Sequence, residues 1–369
     1  MRILIVLALL VAGLIPSALV QAAPPLGADM IAPGAVDWDQ QRARFRTMRG
    51  EIIRFRIPVG FGGSPQHVEE LIADGARTVI LTTEDCDFTP QRTRADLVDR
   101  GFYALTQKYP HIQFIVEIGN ETNICGMDPW VARFWMLRTR QELRDLDRHN
   151  LQWMVSLPTI LRDTEIILSR QSDGAIADIY DAIALHLYGD WHVYPIEDHY
   201  EWGRILRFVL ETTNLPVYVT EIGINDHATP KTVKAQRILE AIDRLPARVQ
   251  GVTVFAISDR GDTRWPQYFI DDAMASVFAT RSPAHDSHST QPCRFFVQTG
   301  QPLCWGFRDF WERHGGVMIF GYPLTGELIE NGRTVQYFER AVFEYHPENP
   351  EPYRVLLRRL GAEALERRR

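Results

Sequence analysis

Val116-Glu117-Ile118-Gly119-Asn120-Glu121-Thr122-Asn123 completes an alternating apolar run, Ile112, Phe114, Val116 and Ile118, and reads as a strand that delivers an Asn-Glu pair at its end. One hundred residues later, Val217-Tyr218-Val219-Thr220-Glu221-Ile222-Gly223 delivers a second glutamate in the same manner. Around these two runs the chain alternates strand-like and helix-like stretches. Upstream, strands are expected over Glu51 to Ile57 and Arg77 to Thr82, with a helix over Pro65 to Ala73 between them. A further helix is expected over about Arg92 to Tyr109, where Val98, Phe102, Leu105 and Tyr109 share one face. Between the two glutamates come a helix at about Pro129 to Leu146, a strand at Leu151 to Leu157, and a helix at about Leu161 to Arg170. A strand at Ile179 to Leu187 and a helix at about Ile196 to Thr212 complete that interval. Thr229-Pro230, a capping hydroxyl followed by proline at the first helical position, opens a helix to Leu245, and Gly251 to Ile257 is a last strand.

With a weak strand at Asp29 to Ile31, the strands number eight, each followed by a helix, within about 250 residues: the count and size of a (β/α)8 TIM barrel, an α/β fold. The competing open doubly wound sheet would carry a phosphate-binding turn after its first strand. Val59-Gly60-Phe61-Gly62-Gly63 is glycine-rich but lacks the GxGxxG spacing. In the barrel, Glu121 ends strand four and Glu221 ends strand seven, three βα units of about 33 residues apart. Barrel sites form at the C-terminal ends of the strands, so the two carboxylates are expected to face one another across the mouth.

At 369 residues, 45% hydrophobic and 11% aromatic, the chain can bury one large core and a smaller one. Its net charge of -7, with both signs interspersed, argues against a nucleic-acid surface and for a neutral polar partner. Residues 1-23, with Arg2, the apolar run Ile3 to Leu14 and the small-residue stretch to Ala23, have the zones of a secretory signal peptide cleaved after Ala22 or Ala23. The alternative is an uncleaved anchor, which Pro16, Ser17 and Gln21 disfavour. Nothing after residue 23 looks transmembrane, so the mature chain is expected to be secreted or at the cell surface without stable membrane insertion. Export permits disulfides, and Cys86 with Cys125 and Cys293 with Cys304 are the preferred pairs, each within one expected domain. The expected domains are a barrel over 24-281, a Ser/His/Pro linker over 282-291, a small aromatic- and glycine-rich module over 292-361, and a charged tail, solvated or frayed, over 362-369.

An Asn-Glu pair closing strand four, His186-x-Tyr188 on strand six and Thr220-Glu221 closing strand seven resemble the clan A retaining glycoside hydrolases. The resemblance spans roughly residues 30 to 275. It implies that Glu121 is the acid/base, Asn120 the reader of the sugar 2-hydroxyl, Glu221 the nucleophile, and Tyr188 a donor to Glu221. Chemistry supports the same pairing: retaining hydrolysis needs one carboxyl that donates a proton and one that attacks, about 5 to 5.5 Å apart. His186 and Tyr188 share strand parity and point to one side. Arg56, in Phe55-Arg56-Ile57-Pro58, resembles the strand-two arginine of the clan, which implies that its charge keeps the nucleophile ionised; Arg54 shares its parity and could exchange roles with it, but the Arg-Ile-Pro run is the closer match and favours Arg56. The clan's strand-eight Trp is missing: Phe255-Ala256-Ile257-Ser258-Asp259 stands there, with Trp265 as a substitute from the loop.

Glu117 shares parity with Glu121 and is expected to support the barrel mouth through hydrogen bonds rather than to react. Glu84, Asp85 and Asp87 either line the cleft or are solvated; Trp130, Trp191 and Tyr194 either stack on a sugar or pack. No metal-ligand spacing is present among His192, His199 and His227 or the cysteines, and neither metal nor cofactor is expected. The C-terminal module, with Phe320-Gly321-Tyr322-Pro323-Leu324 and Tyr337-Phe338-Glu339-Arg340, resembles modules at the ends of secreted bacterial proteins, and loosely the Leu-Gly-Phe-Pro repeats associated with cell walls. It implies a cell-wall glycan as a second partner beside the carbohydrate substrate. The expected function is thus a secreted retaining β-glycosidase acting on a polysaccharide or oligosaccharide. The alternative is a non-catalytic carbohydrate-binding or wall-associated protein on the same scaffold.

Overall fold

The computed structural model describes residues 24–30, 38–61, 63–83, 85–189, 202–258, 266–281, 294–296, 299, 301–314, 316–330, 332–350 and 353–366. The expected signal peptide and the expected linker, with Trp265 and Cys293, lie outside these residues. Eight parallel strands close into a barrel in sequence order. They are β1 (Leu26–Met30), β2 (Ile52–Arg56), β3 (Thr78–Thr82), β4 (Gln113–Ile118), β5 (Leu151–Ser156), β6 (Ala182–Tyr188), β7 (Val217–Gly223) and β8 (Val249–Val254). Closure is made where β8 pairs with β1, Leu26 opposite Val252 and Ala28 opposite Val254. The weak first strand of the sequence is therefore a full member of the barrel.

Helices α1 (Trp38–Thr47), α2 (Pro65–Ala73), α3 (Pro90–Arg94), α4 (Phe102–Lys108), α5 (Pro129–Glu142), α6 (Leu161–Leu168), α7 (Trp202–Thr212), α8 (Lys231–Ile242) and α9 (Asp272–Phe278) follow the strands. The single helix expected over Arg92 to Tyr109 is broken. A π-helical turn at Ala95–Asp99 runs into Gly101, whose φ of 86° is left-handed, and α4 starts afresh beyond it. Its apolar face survives the break, since Leu97, Phe102 and Leu105 are all buried.

The strands carry two layers of inward side chains. The lower is apolar: Ile52, Ile80, Ile115, Met154, Ala182, Ala184 and Tyr218 form one buried cluster that fills the barrel. Above it, towards the C-terminal strand ends, the buried residues turn polar, with Asp29, Arg54, Thr82, Glu117 and Thr220 all fully buried. A much larger apolar cluster lies between the strands and the helices.

The C-terminal module has its own core of Phe296, Leu303, Phe307, Trp311, Phe320, Phe338 and Phe343. It comprises a two-stranded sheet of β9 (Arg294–Phe296) and β10 (Gln301–Leu303), then α10 (Trp305–Arg313) and α11 (Gly316–Phe320). A four-stranded antiparallel sheet of β11 (Leu328–Glu330), β12 (Arg333–Tyr337), β13 (Val342–Tyr345) and β14 (Val355–Leu357) follows. The charged tail, expected to be solvated or frayed, is through Glu366 a largely exposed helix, α12 (Leu360–Glu366). Its Leu, Ala and Glu residues are strong helix formers, which charge alone does not reveal. Among the described residues no helix is long and apolar enough to cross a membrane.

Barrel closure leaves no room at Gly27, where a Cβ would lie 1.5 Å from the Ile52 carbonyl oxygen of the neighbouring strand. Gly27→Ala is expected to lower the thermal midpoint by about 5 °C or more, because relief requires β1 and β2 to part. Circular dichroism melts of the purified variant check this, and an unchanged midpoint would contradict the close approach.

Candidate active site

At the top of the barrel one guanidinium holds four partners. Arg54, fully buried on β2, donates from Nε to Glu117 (2.6 Å), from Nη1 to Asp29 (3.1 Å) and Glu221 (2.5 Å), and from Nη2 to Oδ1 of Asn120 (2.5 Å). Burial alone would lower its pKa, but the charges of Glu117, Glu221 and Asp29 outweigh this and raise it well above the ordinary value. It is a permanent cation.

Arg56, the arginine expected beside Glu221, pairs instead with Asp85 at the rim, Nη1 to Oδ1 2.8 Å. Arg54 takes its place. The two share strand parity, so both point inward, but Arg54 lies one inward step deeper. There it stands in register with Asp29 on β1 and Ile80 on β3, and its long side chain reaches upward to the strand ends. Parity specifies the side of the sheet and leaves the depth open.

Glu117 is fully buried in the supporting position expected for it, accepting from Arg54, from Thr82 Oγ1 (2.6 Å) and from Thr220 Oγ1 (3.1 Å). Thr220 and its neighbour Glu221 both reach the interior, although adjacent strand residues normally face opposite ways. The β6–β7 register shifts between Leu185 and His186, and the β7–β8 register shifts over the same stretch. Such an irregularity re-aims a side chain, and here it sets Glu221 directly opposite His186 and Gly223 opposite Tyr188.

Glu121 is carried not by the strand itself but by the turn after it. β4 ends at Ile118, Gly119 has φ 78° and Glu121 has φ 41°, a left-handed conformation that costs a residue with a Cβ about 1 kcal/mol or more. The surroundings hold it there. Gly119 N donates to Thr83 Oγ1 (2.9 Å), Ile124 N to the Glu121 carbonyl (2.8 Å), and Asn123 exchanges two hydrogen bonds with Thr159. The expected Cys86–Cys125 disulfide is present, tying this loop to the one after β3. Cys304 is also disulfide-bonded.

His186 links the two glutamates, with Nδ1 2.8 Å from Glu121 Oε1 and Nε2 3.5 Å from Glu221 Oε1. Tyr188 donates its hydroxyl to Glu221 Oε2, while Arg54 holds Oε1. Burial alone would raise the Glu121 pKa, but the charge and hydrogen bond of His186, with the charges of Arg54 and Arg56, bring it below the ordinary carboxylate value. Burial alone would lower His186, but the charges of Glu221 and Glu121 and the bond to Glu121 raise it. The proton of this pair therefore rests on the imidazole. Burial and the nearby charges of Glu221 and Glu121 raise Tyr188 well above the phenol range, so it remains a donor.

Single ligand atoms of Glu121, His186 and Glu221 lie within 4.8 Å of one another, the grouping among the described residues that could hold a cation. The sequence spacing did not point to it. A cation there would have to break the Glu121–His186 hydrogen bond and sit beside Arg54.

The strand-eight position expected to lack an indole holds Phe255, 6.1 Å from the Tyr188 ring, and Tyr268 joins both at 5.1 and 6.1 Å. Tyr268 escaped the sequence reading because nothing local marks it. Asp29 and Arg54 did carry a signal, charged residues within apolar strands. Of the acidic residues after β3, Asp85 meets Arg56 and Asp87 is exposed. Trp130, at the start of α5, is exposed, as is His227. Glu84, Trp191, His192, Tyr194, His199 and Trp265 lie outside the described residues.

No protein-family model and no curated protein matches the chain. Solved structures that it resembles include a family 39 glycoside hydrolase from Bacteroides cellulosilyticus WH2, with TM-score 0.47, 13% identity, and 89% of this chain and 71% of that one covered. A beta-mannanase from Streptomyces thermolilacinus has TM-score 0.47 and 17% identity over 67% of this chain and 82% of that one. A GH128 endo-beta-1,3-glucanase from Sorangium cellulosum has TM-score 0.46 and 10% identity over 70% and 98%. The barrel assignment rests on the strand register above, independently of these likenesses.

The opposed shifts of Glu121 and His186 set two limits on stability. Glu121, depressed in the fold, stabilises above its unfolded value of about 4.3, and this is lost as pH falls through the folded value. His186, raised in the fold, stabilises fully below its unfolded value of about 6.5, and this is lost as pH rises through the folded value. The thermal midpoint is expected to be highest between about pH 4.3 and 6.5, and His186→Gln to flatten its alkaline decline. Melts of both proteins across that range and above it test the assignment; an alkaline decline identical in the variant contradicts it.

Proposed function

We propose that the chain is a secreted retaining β-glycoside hydrolase acting on an oligosaccharide or polysaccharide, with Glu221 as nucleophile and Glu121 as acid/base. The carrying observation is that an oxygen of Glu121 and one of Glu221 lie within 4.8 Å of each other. Retaining pairs stand about 5 to 5.5 Å apart, whereas inverting pairs leave about 6.5 to 9.5 Å for a water molecule.

The remaining contacts support distinct roles. Both oxygens of Glu221 accept hydrogen bonds, from Arg54 and Tyr188, which aims the carboxylate. In the first step a Glu221 oxygen bonds to the anomeric carbon as the glycosidic C–O bond breaks. The departing oxygen takes a proton that passes from the His186 imidazolium through their hydrogen bond to Glu121 and on to the leaving group, which leaves Glu121 ionised. In the second step Glu121 removes a proton from water, the water oxygen attacks the anomeric carbon, and the Glu221 ester is released. Asn120 turns its Oδ1 to Arg54, so its amide N–H groups are the part that can meet a sugar hydroxyl. Arg54 replaces Arg56 as the cation serving the nucleophile. Barrel over 24–281 and module over 292–361 remain the proposed domains, consistent with two separate apolar cores.

On activated aryl β-glycosides, Glu221→Ala is expected to lower kcat by about 10³-fold or more, and azide to restore turnover with an inverted glycosyl azide as product. Glu121→Ala is expected to slow the second step by about 10² to 10⁴-fold, with azide giving the retained product. Product anomers read by NMR decide between these outcomes. Full activity of Glu221→Ala would falsify the nucleophile assignment.

A further inference from the structure

Gly223 lies two residues beyond Glu221 and opposite Tyr188 in the β6–β7 register. A Cβ at this position would stand 2.8 Å from Cδ1 of Tyr268 and 3.0 Å from Cε1 of Tyr188. The missing side chain is what admits Tyr268 over the end of β7. There its ring meets Tyr188 edge-on at 5.1 Å and 66°, and Phe255 at 6.1 Å and 70°. Tyr188 and Phe255 meet in turn at 6.1 Å and 82°. These rings, from the end of β6, the end of β8 and the segment after it, form one aromatic group, which meets the carboxylate pair where Tyr188 donates to Glu221.

Tyr268 is half-buried and belongs to neither layer of the barrel interior nor the apolar cluster under the helices, whereas Phe255 packs against that cluster. Burial, with the negative charges of Glu121 and Glu221, pushes its phenol up to about 12, so the ring shares the electrostatic space of both carboxylates. A pyranose has polar hydroxyls at its edge and C–H groups on its faces, and an aromatic ring complements such a face.

We propose that Tyr268 contacts the substrate, its ring forming the apolar surface on which the pyranose held between Glu121 and Glu221 rests. This role presupposes the glycosidase function proposed above. Aryl β-glycoside turnover by the wild type, Tyr268→Leu and Tyr268→Phe separates the possibilities. Leucine keeps apolar bulk over Gly223 but removes the flat face. Tyr268→Leu is expected to raise KM about fivefold or more with kcat within about twofold, the pattern of lost uniform binding, while Tyr268→Phe stays within about twofold in both.

A KM for Tyr268→Leu within about twofold of wild type overturns the proposal while leaving the catalytic assignment intact. A wild type that turns over no aryl β-glycoside overturns both together. Should Tyr268→Leu fail to fold, the near-UV difference spectrum on adding a 1-thio-β-glycoside of the best substrate sugar decides. The proposal expects a tyrosine band in wild type that is altered in Tyr268→Phe, and identical spectra overturn it.

Discussion

The ion cluster around Arg54 is the interaction on which the carboxylate-bearing end of the barrel depends. A guanidinium taken out of water costs several kcal/mol unless charge and hydrogen bonds replace the lost solvation. Here three carboxylates and one amide supply that replacement, each from a different strand or turn: β1, β4, β7 and the turn that carries Asn120. The dependence is mutual, because Asp29, Glu117 and Glu221 are buried carboxyl groups that all pair with this one guanidinium. Only arginine presents its donors in a planar fork able to reach this many acceptors at once.

The polar layer is possible because an apolar layer lies beneath it. Ile52, Ile80, Ile115, Met154 and Tyr218 fill the barrel below Arg54, so the ion cluster is solid on one side and open only towards the strand ends. Threonines at Thr82 and Thr220 complete it by donating to Glu117, which leaves that carboxylate committed to structure. Glu121 and Glu221 differ from Glu117 in kind. They face the opening and share His186, and local departures from regular strand geometry, a left-handed turn and a register shift, bring them together.

Much of this was legible in the chain. Period-two runs ending in Asn120-Glu121 and Thr220-Glu221 mark strands four and seven, and the spacing between them requires three intervening βα units. The eight-strand alternation follows from the same patterns, as does the shared side of His186 and Tyr188. Cys86 and Cys125 pair as their placement in one domain suggests. The break at Gly101 and the helical tail at Leu360–Glu366 were less legible, because one needs a backbone angle and the other competes with a charge pattern.

What the sequence by itself determined is the barrel, the two strand ends that carry carboxylates, and the face on which their neighbours lie, since all of these follow from the two-residue period of a strand and the length of a βα unit. Which arginine serves Glu221 was decided only by tertiary structure. Arg54 and Arg56 share parity, and depth within a closed barrel depends on the register of strands far apart in the chain. The same holds for Glu121, whose position comes from a left-handed turn held by Thr83, Thr159 and a disulfide. It holds again for Tyr268, which reaches the carboxylates because Gly223, far from it in sequence, has no side chain to keep it out.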